Sequence, residues 1–173
     1  YKKLLDQLKN RLGYSPLTAQ IVVLGLMDCD KAEGAVYFDA PGKHFDEFKE
    51  DGISFRQVDE KKMLEEFWKI ALNYNYFITF NGRTFDIPFL MIRSAICGVK
   101  PTKDSMRGRY LSQQSFDAVH IDLADQLTFY GAMKKRGSLH LWTRAFGIES
   151  PKAQGVTGDD VGRLFNNGDY LSI

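Results

Sequence analysis

Apolar residues recur along this chain in two rhythms, each predicting a kind of element. Leu4, Leu5, Leu8 and Leu12 stand at helical spacing and Gly13 follows as a stop, so a helix is expected over Lys2–Leu12. Gln20–Met27 (QIVVLGLM) is a β-branched apolar run that reads as a buried strand, broken by Asp28-Cys29-Asp30. Ala35–Asp39 and Ser54–Val58 read as a second and a third strand, and their short connections suggest an antiparallel meander. Glu60–Tyr74 is the clearest helix, with Met63, Leu64, Phe67, Trp68 and Ala71 on one face and mostly charged residues opposite. Tyr76–Phe80 is a strand of strong β formers, and Asn81–Thr84 a loop. Ile87–Cys97 is the next helix, with Pro88 suited to its first turn and Gly98 to its C-terminal stop. A short strand over His120–Leu123 leads into a helix near Asp125–Tyr130. Ser138–Phe146 forms a helix with Leu139, Trp142, Ala145 and Phe146 inward, and Thr157–Phe165 another, started by Thr157 or Asp159.

Strands first, then helices interleaved with short strands, predict an α/β fold with a mixed sheet. A ribonuclease-H-like sheet, an antiparallel meander followed by parallel strands and flanked by helices, fits this order, as do other mixed α/β folds. With 173 residues, no internal repeat and no long linker, residues 1–173 read as a single domain.

Composition adds limits. The net charge of +1 does not announce nucleic acid, yet a protein that binds it through a local groove needs no global positive charge. Cys29 and Cys97 have no paired spacing, so neither a zinc site nor a disulfide framework is implied, and a reducing, cytoplasmic setting is expected. No apolar run approaches the ~20 residues of a membrane-spanning helix, and no signal peptide is visible.

The chemistry concentrates in Phe80–Leu90 (FNGRTFDIPFL). A strand ends, a glycine-containing loop follows, and Asp86 stands at a helix start, where it reads as an N-cap. Capping alone would explain an Asp there, but an N-cap carboxylate keeps an oxygen that can bind a metal ion.

Asn-x-x-x-Phe-Asp after an apolar strand resembles the second motif of the metal-dependent 3'-5' exonucleases with four acidic residues, closest to the exonuclease domains related to family B DNA polymerases. The runs Thr79–Leu90, His120–Gly131 and Ser138–Lys152 agree with the predicted 3'-5' exonuclease subgroup in order and spacing, so the resemblance covers most of the chain from about Pro16. It implies two-metal hydrolysis of the 3'-terminal phosphodiester with Mg²⁺ or Mn²⁺. Hard cations of this kind want carboxylate oxygens, and Asp86 would be a catalytic ligand. Asn81 would hydrogen-bond loop backbone or the substrate strand. Arg83 is a candidate phosphate contact or a solvated loop residue. Phe85 either wedges against a base or packs inward.

The sequence departs from the family in two places. The first motif, Asp-x-Glu before the Gln20–Met27 strand, and the third, Tyr-x-x-x-Asp or His-x-x-x-Asp near a late helix, are absent from the chain. Asp28 and Asp30 read as a turn between hairpin strands, Asp122 as a structural strand-to-helix position, and Asp159 and Asp160 as helix-start residues. His140 reads as surface or half-buried; His44 and His120 stand alone. Arg107, Arg109 and Lys134-Lys135-Arg136 are either solvated or track a nucleic-acid backbone. Both chain ends read as cut, with Tyr1 first and an apolar pattern running to Ile173, which would place the missing motifs outside. Two functions follow: a metal-dependent 3'-5' exonuclease acting on single-stranded DNA ends, or a catalytically inactive nucleic-acid-binding or protein-interaction module on the same fold.

Overall fold

The computed structural model describes residues 12–150 and 158–173. All but the last residue of the helix expected over Lys2–Leu12 lies outside them. The first strands are β1 (Val23–Asp28), β2 (Glu33–Phe38), β3 (Phe48–Glu50) and β4 (Ile53–Gln57), in sheet order β1-β2-β4-β3. β1 and β2 form the expected antiparallel hairpin, Val23 opposite Phe38 and Asp28 opposite Glu33. Asp28 makes the turn: its Oδ1 accepts from the backbone N–H groups of Asp30 and Lys31, and its Oδ2 accepts from Tyr74 Oη at 2.8 Å.

The third expected strand corrects the meander. β4 runs parallel to β2, with Gly34 opposite Ile53 and Phe38 opposite Gln57. The chain reaches that direction by passing through β3, an unforeseen short strand that pairs antiparallel with the outer side of β4. The stacked rings of Phe48 and Phe55, 4.6 Å apart, pin that register.

Two helices follow the sequence closely. α1 (Glu60–Ala71) begins at Asp59, whose carboxylate accepts from the Lys62 N–H, and buries Met63, Leu64, Trp68 and Ala71. α2 (Asp86–Cys97) ends at Gly98, which adopts the left-handed conformation with φ 69° that a C-terminal stop requires. Trp68 Nε1 donates to Ser94 Oγ at 2.8 Å, satisfying the indole inside the core. Glu60 ties three segments together by accepting from Arg93 Nε at 2.8 Å, Arg93 Nη2 at 2.5 Å and the Ile21 N–H at 2.7 Å.

Between α1 and α2 lies β5 (Tyr76–Thr79), which pairs parallel with β6 (Val119–Asp122), Thr79 opposite Asp122. These two strands form a sheet of their own rather than extending the first. Three further α-helices are α3 (Leu123–Leu127), α4 (Leu139–Ala145) and α5 (Gly158–Asn167). Ser138 caps α4 by accepting from the Leu141 N–H, and Ala145 and Phe146 face solvent instead of the core. Phe146 stacks on Trp142, whose Nε1 donates to the Arg136 carbonyl, so the apolar stripe of this short helix serves itself and the preceding loop. The expected Thr157 start of α5 lies outside the described residues. Beyond α5, Tyr170 folds back, its hydroxyl donating to the Pro41 carbonyl at 2.9 Å and its ring packing on Phe165. No described helix is long and apolar enough to cross a membrane.

Candidate active site

The loop from Asn81 to Phe85 is held from three directions. Asn81 takes φ 65°, a left-handed conformation that Asn tolerates better than most residues. Its backbone N–H donates to Asp122 Oδ1 at 2.8 Å, and the Arg83 N–H donates to Asp122 Oδ2 at 3.0 Å. The same carboxylate caps α3 by accepting from the Ala124 N–H at 3.0 Å. Asp122 is 2% exposed, and these three N–H groups are what allow a carboxylate to sit so deep.

Beneath the loop, Thr79 Oγ1 lies 2.8 Å from His120 Nε2, and His120 Nδ1 lies 3.2 Å from the Ser105 carbonyl. A carbonyl only accepts, so Nδ1 carries the proton and Nε2 accepts from the threonine hydroxyl. His120 is 1% exposed, and burial pulls its pKa below the usual imidazole value. Gly82 crosses directly above Thr79, where a Cβ would come within 2.6 Å of Thr79 Cβ. Glycine is therefore required here by close approach.

Asp86 is the first residue of α2, not its cap. Phe85 occupies the cap position without a side-chain bond, and the chain enters the helix through the Gly82 carbonyl, which accepts from the Ile87 N–H at 2.9 Å. The carboxylate is thus free of the capping role the sequence suggested. Asp86 is open on one side, but the protein around it strips part of its hydration. That desolvation, with repulsion from Asp122 second to it among the raising effects, lifts its pKa above the ordinary aspartate value.

Asp86 lies on a groove of about 930 Å³ lined by β1, the start of α2 and α5. The apolar walls include Val23, Leu24 and Phe89, and Asp159 stands on the same groove. The Tyr14 hydroxyl donates to Asp159, which raises the tyrosine's pKa. Phe85 is 41% exposed on this groove, with its ring 5.4 Å from Phe89 and 6.2 Å from Tyr14. Arg83 points away from it: the guanidinium donates to the carbonyls of Ser105 at 3.3 Å and Met106 at 3.0 Å. Asn81 Oδ1 accepts from Arg136 Nη1 at 3.3 Å.

Of the residues the sequence singled out, Asp86 and Phe85 therefore share the groove, while Asn81 and Arg83 build the loop beside it. Asp122 and Asp159 gain importance only from the folded arrangement. Asp122 acts on backbone 41 and 39 positions earlier, a pairing no local pattern announces. Among the described residues, no group of three or more His, Cys, Asp and Glu side chains is placed to hold a metal ion. Asp122 spends its oxygens on backbone N–H groups, leaving Asp86 and Asp159 as the acidic side chains on the groove.

Comparison with known proteins gives this arrangement a context. Residues 35–173 match the model of a family described as predicted 3'-5' exonucleases related to the exonuclease domain of PolB. The chain belongs to this family. The match takes in the Asn81–Asp86 loop, both strands beneath it and α2. DNA polymerase 1 of Sulfolobus acidocaldarius is 32% identical over 81 residues, a stretch that is 43% of this chain and 9% of the polymerase. This exonuclease-family chain thus corresponds to a small part of that larger protein.

Proposed function

We propose that this chain is the scaffold of a metal-dependent 3'-5' exonuclease that hydrolyses the terminal phosphodiester of single-stranded DNA, with Asp86 as a catalytic, metal-binding carboxylate. The observation that carries the reading is Asp86 itself. It is an accessible, partly desolvated carboxylate on a groove of about 930 Å³, and the buried Asp122 carboxylate ties down two amides of its loop. A structural residue at a helix start gains nothing from such a setting, whereas a reactive acid does. Mg²⁺ or Mn²⁺ would supply the charge neutralisation and the activated water of phosphodiester hydrolysis. The described residues contribute Asp86 to such a centre and do not complete it. Their own part is to orient the carboxylate and to wall the groove with Phe85 and Phe89. The test is Mn²⁺-dependent shortening of a 5'-labelled single-stranded oligonucleotide by the full-length protein. Asp86→Asn should reduce it at least a hundredfold, on the scale of losing a group that acts on the reacting atoms (~10²–10³); unchanged shortening would refute the assignment.

The incomplete carboxylate set favours a second reading, a nucleic-acid-binding module without hydrolysis. Metal titration decides between them. Oligonucleotide binding with no divalent-ion binding by the full-length protein would select the module.

A further inference from the structure

Next to the Asn81 loop, two arginines share one buried acid. Asp125 is 5% exposed and accepts from Arg109 Nε at 3.0 Å and Arg109 Nη2 at 2.7 Å, a two-point pair. That pair alone satisfies the carboxylate. Arg136 nevertheless approaches the same oxygen at 3.5 Å and reaches Asn81 Oδ1 with its other terminal nitrogen. Both arginine side chains are more than 40% exposed. One carboxylate held between two arginines leaves excess positive charge, and the exposed Arg107, Lys134 and Lys135 add to it.

The surface continues into aromatic rings. Tyr110 follows Arg109 and packs on Tyr130 with ring centroids 4.7 Å apart. Phe129 and Tyr130 both take left-handed backbone, with φ 51° and 55°, a conformation bulky residues rarely adopt. Core packing explains none of this for Phe129, a residue that is 73% exposed. The strain holds an apolar ring out in water beside a basic patch. Contacts link Tyr130 to Tyr110, Arg109 to Asp125, Asp125 to Arg136 and Arg136 to Asn81, and Phe129–Tyr130 and Arg109–Tyr110 are neighbours along the chain; Asn81 stands five positions before Asp86.

We infer that this strip is a track for single-stranded nucleic acid leading to the groove: Arg109 and Arg136 engage successive phosphates, and Tyr110 and Phe129 stack on bases. Guanidiniums fixed by a buried acid are pre-ordered to meet phosphate oxygens, and exposed rings accept any base face, so the track reads backbone and stacking rather than sequence. The inference rests on the exonuclease reading for its direction, with the 3' end at Asp86.

The experiment measures anisotropy of a fluorescent single-stranded oligonucleotide with the full-length protein in EDTA, so that hydrolysis plays no part. Arg136→Gln leaves the Arg109–Asp125 pair intact. It should weaken binding severalfold and lower the salt slope by roughly 0.7, the contribution of one phosphate contact on a single strand. Phe129→Ala should weaken binding on the order of tenfold with the salt slope retained. Phe129→Gly removes the ring while relieving the left-handed strain, so it should stay folded and bind as weakly as the alanine variant. Parental affinity and salt slope in Arg136→Gln and Phe129→Gly would overturn the track. That result with hydrolysis intact would leave the exonuclease reading standing. Patch-dependent binding without Asp86-dependent hydrolysis would overturn the exonuclease and keep the track.

Discussion

Thr79 Oγ1 and His120 Nε2 meet at 2.8 Å across β5 and β6, and the imidazole, 1% exposed, sits beneath the Asn81–Phe85 loop. Burial lowers the folded-state pKa of His120 below the ordinary value of 6.5. Between those two values the unfolded chain binds a proton that the native protein refuses, so stability rises with pH through that window and is complete above about 6.5. Acidification should therefore lower the unfolding free energy by up to about 1.4 kcal/mol per pH unit, starting near pH 6.5. His120→Gln should lose this slope. Urea denaturation at closely spaced pH values checks both curves.

Asp122 should matter more to stability than a capping residue does. Asp122→Asn keeps one acceptor oxygen but turns an NH₂ group toward the Arg83 N–H, donor against donor. Charge-assisted hydrogen bonds contribute about 1.5–3 kcal/mol each, so a loss of about 2–3 kcal/mol is expected. Denaturant midpoints at constant m-value would measure it, and nuclease activity should fall with the loop's order.

Gly82→Ala is expected to cost about 1–3 kcal/mol, because the new methyl would sit 2.6 Å from Thr79 Cβ and the strand end cannot yield without breaking the His120 contact. Thermal unfolding would show it. An alanine variant as stable as the parent would mean that the loop crosses Thr79 at a greater height.

Asp86 carries the opposite sign. Its pKa lies above the ordinary aspartate value of 3.8, so its charged form opposes folding, and above its own native pKa that penalty is fully present. Below 3.8 both states hold the proton and the penalty vanishes. Asp86→Asn should therefore raise the melting temperature at pH 7 while removing activity. The gain should shrink as the pH falls through the native pKa. Calorimetry at neutral and acidic pH checks the trend.

The sequence was most legible where a local rule met a single solution. The apolar face of α1 and the Gly98 stop act within a few residues, and both stand as the pattern indicated. Partner choice in the sheet is different. Alternation assigns a strand's faces but not its neighbour, so the parallel pairing of β2 with β4 and the insertion of β3 were not readable. The site divides in the same way. Asn81, Arg83, Phe85 and Asp86 are adjacent in sequence and announced themselves together. Asp122, Asp159 and His120 reach the loop or the groove only through folding, and each looked like an ordinary acid or a lone histidine. Phe129 and Tyr130 carried no signal at all, since left-handed backbone at two aromatics contradicts every propensity.

Asp122 closes the parallel pair at its last register position, opposite Thr79, and from there grips the two amides of the loop. The loop has no separate way to loosen. For the Asn81 and Arg83 amide protons to meet solvent, the end of a four-residue strand pair must open with them, so loop and strands form one cooperative unit. In deuterated water those two amides should exchange in step with the amides bonded between β5 and β6, on the timescale of that opening rather than of surface loops. An enzyme built this way would trade adaptability for fidelity: its acid stays aimed while the substrate does the moving.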